Sequence, residues 1–237
     1  MNIRAFAGAI ALASLTFAAT PAAHAQANTL TAKEKAHGWR LLFDGTSLDG
    51  WRGYKTDAAP VGWRVADGLI VKDSSAEDIV TRDSFANFEL VMDWKIAKGG
   101  NAGIFYRGTE EYDHIYWSAP EYQLLDDANA PDGASRLTSA GADYALYPSP
   151  AGIERPAGEW NTARIVVRGD HVEHWMNGKK LLSYTLGSAD WAAKVKASKF
   201  GKWPNYGKAT RGLIGVQGDH SGRLELRNIK IRVLPAK

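Results

Sequence analysis

The sequence predicts an all-β fold, a two-sheet antiparallel sandwich or jelly roll with one short helix, and three observations carry that expectation. Short segments alternate apolar and polar residues with a period of two. Clusters of Gly, Asp, Asn and Pro separate those segments, and a single stretch carries a helical signal.

Taken in order, "WRVADGLIVK" (63–72) is a hairpin whose two apolar arms flank Asp67-Gly68, a pair suited to a tight turn. "FELVMDWKI" (88–96) sets Phe88, Leu90, Met92, Trp94 and Ile96 on one face, with Glu89, Asp93 and Lys95 on the other. "AGIFYR" (102–107), "EYQLL" (121–125) and "TARIVVR" (162–168) add strands, and "HVEHWM" (171–176) turns through Asn177-Gly178 into "LLSY" (181–184). The helix is "SADWAAKVKAS" (188–198), with Ser188 or Asp190 available as its cap. "LIGVQ" (213–217) follows. The last strand, "LELRNIKIRV" (224–233), changes phase: Leu224 and Leu226 share one parity, Ile229, Ile231 and Val233 the other. A bulge at Arg227-Asn228 reconciles the two halves, because one extra residue moves side chains to the opposite face.

Residues 1–25 read as a secretory signal peptide, with Arg4 leading, a short apolar core and "AHA" before Gln26. Residues 26–237 read as a single β-sandwich domain, expected in the periplasm or outside the cell. No cysteine sits at the cleavage site to carry a lipid, and no membrane anchor is expected. Cysteine is absent throughout, which removes disulfides and thiolate chemistry. The formal charge is +3, from 29 basic and 26 acidic residues, with no basic cluster or reading motif, so nucleic acid is not an expected partner. Nine Trp and nine Tyr are many for this length. Flat rings with one polar handle suit sugar faces, and they also suit a sandwich core. The expected partner is a small carbohydrate; oligomeric state is not legible.

One strand stands out. In "APEYQLLDD" (119–127), Glu121 and Gln123 lie two apart, a carboxylate and an amide on one face of an otherwise apolar strand. The Glu-x-Asp-x-x-Glu pattern of two-carboxylate sandwich glycosidases is missing, since Gln123 stands where its Asp would be. HExxH, the EF-hand loop and GxSxG are also missing, so no cofactor is expected. "DDANAPDG" (126–133) leaves open a bound calcium or other divalent ion through Asp126, Asp127, Asn129 and Asp132, the alternative being an Asx-rich turn.

Six segments carry a resemblance: "GWRLLFDGTSLDGW" (38–51), "GGNAGIFYR" (99–107), "PEYQLLDD" (120–127), "GEWNTARIVVRGDHVEHWMNGKKL" (158–181), "ASKFGKWPNYGKATRGLIGVQGDH" (197–220) and "LRNIKIR" (226–232). With these, residues 37–234 resemble the 3-keto-disaccharide hydrolase family. The resemblance implies a concanavalin A-like jelly roll in the lectin and glucanase class, with the sugar site on a concave sheet face. It also implies an exported bacterial glycoside-cleaving enzyme whose substrates are already oxidised at carbon 3.

Such a substrate needs one base to remove the proton on carbon 2 and a donor or cation for the enolate oxygen, after which the carbon-1 substituent leaves and water adds back. Glu121, His220, His174 and Lys199 are the candidate catalytic residues; Arg107, Gln123, Tyr106, Gln217, Trp175 and Trp203 are the candidate substrate-binding residues. Each has a structural alternative. Glu121 can pair with Arg107, Gln123 can be a solvated sheet position, and His174, sharing parity with Val172 and Met176, can be a core histidine. His220 can be an exposed ring in a turn with Asp219, and Lys199 can complement a helix C-terminus. Tyr106, Trp117, Trp175 and Trp203 are candidates for stacking on a sugar, whereas Trp39, Trp51, Trp63 and Trp94 belong to packing. The alternative function is a non-catalytic carbohydrate-binding module using the same face.

Overall fold

The computed structural model describes Met1 and residues 27–235, so the expected leader lies outside the described residues apart from its first position. Among the described residues the first element is a one-turn helix, α1 (Ala32–Ala36), started by a capping box between Thr31 and Glu34. The strands are β1 (Trp39–Leu41), β2 (Trp51–Gly53), β3 (Trp63–Ala66), β4 (Leu69–Lys72), β5 (Ile79–Phe85), β6 (Phe88–Ile96) and β7 (Asn101–Gly108). They continue with β8 (Glu121–Leu125), β9 (Asn161–Arg168), β10 (His171–Met176) and β11 (Lys179–Thr185). After α2 (Ala189–Ala197) come β12 (Gly212–Val216) and β13 (Leu224–Val233). Three 3₁₀ turns lie at 115–117, 131–134 and 199–202.

These strands form two antiparallel sheets. The larger runs β11-β10-β9-β6-β13-β4-β3 with β1 also on β13; the smaller runs β2-β5-β12-β7-β8. Asp67-Gly68 and Asn177-Gly178 both take positive φ, as the two-residue hairpins between β3 and β4 and between β10 and β11 require. The bulge in the last strand is present: β13 slips register on β6 between Arg227 and Lys230, and Asn228 has φ 52°. Three strands exceed the sequence reading. β1 and β2 have three residues each, too short to show a period, and β5 interrupts its apolar start with Arg82, Asp83 and Ser84. The helical content also exceeds the single helix expected, through α1 and the 3₁₀ turns.

The core fills the space between the sheets. Leu90, Met92 and Trp94 of β6 and Ile165 and Val167 of β9 meet Ile104, Tyr122, Leu124 and Ile214 of the smaller sheet, all buried. Each such side chain contributes about 1.5–3 kcal/mol on leaving water. The opposite face of the smaller sheet holds a second cluster, in which Val80, Phe105 and Leu213 are covered by Ile115 and Ala119. Covered on both faces, β8 is buried at every residue, including Glu121 and Gln123. As the border strand it would leave half its backbone groups open. Residues 141–144 close them: Gly141 N donates to Gln123 O, Gln123 N to Ala142 O, and Tyr144 N to Glu121 O.

Candidate active site

A pocket of about 180 Å³ opens on the face of the smaller sheet turned away from the larger one. Its floor comes from neighbouring strands: Glu121 and Gln123 of β8 and Asn101 of β7, with Gln217 just past the end of β12. Gln217 is fixed through its backbone, where N–H donates to Gly103 O at 2.9 Å. The walls are Tyr116, Asp132, Tyr144 and Lys199, and Asp219 and His220 stand at the rim. Gly103 makes the floor possible. A Cβ built there would overlap the Glu121 carboxyl, so the missing side chain is the space in which the acid lies.

Several polar atoms of this floor have nothing to bind. Gln123 is 1% exposed, and neither its Oε1 nor its Nε2 has a partner. Gln217 Oε1 and Asn101 Oδ1 are likewise buried and unpartnered. Leaving a buried polar group unsatisfied costs about 1–3 kcal/mol, so four such atoms converging on one cavity mark a ligand site with hydroxyl-like partners. Asn101 and Asp132 hold each other, since Asn101 Nδ2 donates to Asp132 Oδ2 at 3.1 Å, and Tyr144 OH donates to the same oxygen at 3.3 Å. Lys199 Nζ lies 4.3 Å from the centre of the Tyr144 ring.

Electrostatics single out Glu121. The residue is 5% exposed, and burial pushes its carboxyl up to about 8. The Lys199 cation pulls it back in part, while the charges of Asp78, Asp219 and Asp132 push it further up. At neutral pH the acid is held protonated, and once ionised it is a far stronger base than an ordinary carboxylate. Asp78 behaves similarly, raised to about 7 chiefly by burial against the hydrogen bond from Gly218 N.

Of the expected site residues, Glu121, Gln123, Lys199, Gln217 and His220 converge on this pocket. The other five do not, and these are corrections. Tyr106 shares the inward face of β7 with Ile104 and is fully buried. His174 is fully buried too, and burial pushes it down to about 4, so it is neutral. Its Nδ1 meets the Gly141 carbonyl at 3.0 Å and must carry the proton, leaving Nε2 to accept from Tyr106 OH at 2.9 Å. Tyr106 oxygen then accepts from Tyr184, completing a core relay spent on itself. Arg107 leaves the strand alternation with φ 54° and donates to Ala86 O at 3.0 and 2.7 Å and Gly169 O at 2.7 Å. It does not reach Glu121. Trp175 lies on the outer face of the larger sheet, its Nε1 donating to Glu173 at 2.9 Å beneath the Arg164 guanidinium. Trp203 stacks on Trp117 at 4.1 Å and lines a separate cavity of about 490 Å³ beside α2.

Sequence reasoning missed Asn101, Tyr116, Tyr144 and Asp219 and placed Asp132 in a different role. Several of the loop oxygens that the calcium alternative would use accept hydrogen bonds within the protein. Asp126 accepts from Gly99 N and Asn129 Nδ2, and Asp127 from Ala140 N and Arg136. Among the described residues no group of three or more His, Cys, Asp or Glu is arranged to hold a metal. The pocket nevertheless contains further carboxylates, Asp132 and Asp219, brought by loops where a strand pattern cannot show them.

A two-sheet sandwich with a buried carboxyl and orphaned amides in a small polar pocket defines a jelly-roll protein with a site for a small, hydroxyl-rich molecule. A family model described as a 3-keto-alpha-glucoside-1,2-lyase-like domain matches residues 38–232, and the chain belongs to that family. A curated relative, the 3-keto-disaccharide hydrolase of Bacteroides thetaiotaomicron, is 36% identical over 89% of this chain and 83% of its own length. A crystal structure from Parabacteroides distasonis, provisionally named a glycosyl hydrolase, is also 36% identical, with a TM-score of 0.83 over 89% of this chain and 100% of its own. A Bacillus subtilis protein with a galectin-like fold shares the architecture alone, at 12% identity and a TM-score of 0.53 over 90% of this chain and 97% of its own.

Proposed function

We propose that the protein cleaves 3-keto glycosides by elimination followed by hydration, with Glu121 as the base. Ionised Glu121 removes the proton on carbon 2, and the electron pair moves into an enolate whose oxygen on carbon 3 is stabilised by the Lys199 ammonium. Collapse of the enolate restores the ketone, forms the carbon 1–carbon 2 double bond and breaks the bond from carbon 1 to the leaving oxygen. His220, at the rim, supplies the proton that the leaving oxygen takes up. Water then adds to carbon 1 and a proton returns to carbon 2, so the net change is hydrolysis. Gln123, Gln217 and Asn101 hold the sugar hydroxyls.

One observation carries this reading: a buried carboxyl inside the pocket, in a lining it shares with a lysine and with buried amide groups that have no partners. A base whose pKa lies nearer the working pH gives proton transfer from beside a ketone more driving force than a solvated carboxylate does, and burial moves Glu121 in that direction. The lyase-like description of the family supports elimination over displacement at carbon 1. The test offers the purified protein a 3-keto disaccharide and its unoxidised parent in deuterated water. Cleavage of the keto sugar alone, with deuterium at carbon 2 of the product, is expected; equal cleavage of both, or no deuterium, refutes it. A sugar-binding module would instead show saturable binding without turnover. We also propose that the leader directs export, which mature protein beginning near Gln26 in a periplasmic or culture fraction would establish.

A further inference from the structure

The segment 218–222, "GDHSG", connects β12 of the smaller sheet to β13 of the larger and carries Asp219 and His220 to the pocket rim. Nothing apolar in it can be buried to fix its conformation. The Asp219 and His220 side chains are 45% and 46% exposed and stand 3.8 Å apart. The loop is held instead from beneath. Lys72, the last residue of β4, points to the same interior face as Ile70, an unusual place for a lysine, and is 1% exposed. Its Nζ donates to His220 O at 2.6 Å and Gly222 O at 3.3 Å. At the other end, the Asp78 carboxylate accepts from Gly218 N at 2.8 Å, and Ala76 N donates to Gly218 O at 2.8 Å.

We propose that Lys72 and Asp78 are positioning residues, a buried cation and a buried acid that grip the two ends of the 218–222 loop and so aim His220 into the pocket. Neither lines the pocket, so neither touches the sugar. The ammonium is costly to bury and has only loop carbonyls as hydrogen-bond partners, with the charges of Asp219 and Asp78 favouring its ionised form. A methionine of similar length fills the same space but cannot hold the carbonyls.

The kinetic arm of the test rests on the elimination reading; the structural arm does not. Lys72→Met is expected to lower kcat for a 3-keto disaccharide by about 10–100-fold, part of the usual contribution of a proton-transfer group, with KM changed less than about threefold. The His220 imidazole resonances, assigned with His220→Gln, are expected to move toward free-histidine positions. Wild-type kcat with unmoved resonances overturns the proposal. Should Lys72→Met fail to fold, Asp78→Asn and Asp78→Ala decide. The amide keeps an oxygen for Gly218 N–H and should retain the wild-type His220 resonances, whereas alanine should lose them; identical spectra for the two overturn the proposal. If the wild-type protein turns over no 3-keto sugar, the elimination reading fails while the resonances still report on the clamp.

Discussion

Glu121→Gln is expected to abolish turnover and, at alkaline pH, to stabilise the protein. The carboxyl moves from an ordinary 4.5 to about 8 on folding, because burial disfavours its charged form. Between these values the unfolded chain has released the proton while the folded chain keeps it, so stability falls as pH rises, by about 1.4 kcal/mol per pH unit. The native state enjoys the full benefit of the protonated acid below pH 4.5 and has lost it above pH 8. The accumulated loss is at most about 5 kcal/mol, a large share of a typical domain's stability. Glutamine cannot ionise and avoids it. Urea unfolding followed by tryptophan fluorescence at pH 5, 7 and 9 should give near-equal stabilities at pH 5 and a variant more stable by several kcal/mol at pH 9. A difference between the two proteins that is constant across this range would show that Glu121 is not held protonated by burial, and the assignment of its base strength would fall with it.

Three further outcomes follow from the same geometry. Gly103→Ala should displace the Glu121 carboxyl and lower kcat/KM by at least about 100-fold, the scale of a general base, with a melting temperature much less affected than activity; near wild-type kinetics would mean that the carboxyl need not occupy that space. Lys199→Met removes the charge that holds Glu121 down, so besides slowing turnover it should move the pH at which kcat/KM reaches half its maximum above that of the wild type; a pH–rate profile checks this, and an unmoved midpoint refutes it. Tyr106→Phe should cost about 1–3 kcal/mol in chemical denaturation by stranding His174 Nε2, with kcat and KM unchanged once folded protein is compared, in keeping with a place outside the pocket.

Strand periodicity reported the strands of four residues or more, as in β6, β8 and the β10–β11 hairpin, except β5, whose apolar start gives way to Arg82, Asp83 and Ser84. The same periodicity reported the pairing of Glu121 with Gln123, because residues two apart on a strand share a face whatever the sheet does next. It gave no indication of which face of the sheet is core. Tyr106 was therefore as plausible as its neighbours until Ile104 fixed the inward side of β7. Arg107 obeyed the alternation on paper, and its positive φ broke it. His174 matched the parity of Val172 and Met176, and the core alternative is the one its burial bears out. Asn101, Asp132, Tyr144 and Asp219 come together only through strand pairing and loop closure, between positions separated by up to 118 residues. A single sequence holds no local mark of that meeting.

The border position of β8 has a consequence for how the molecule meets other chains. A strand that ends a sheet ordinarily invites a foreign strand to extend it, and here that strand bears the buried Glu121 carboxyl. With 141–144 hydrogen-bonded along it, no peptide and no second copy can add there without first peeling this segment away. The strand is thereby insulated from aggregation, and the pocket it floors is left to molecules small enough to enter from above.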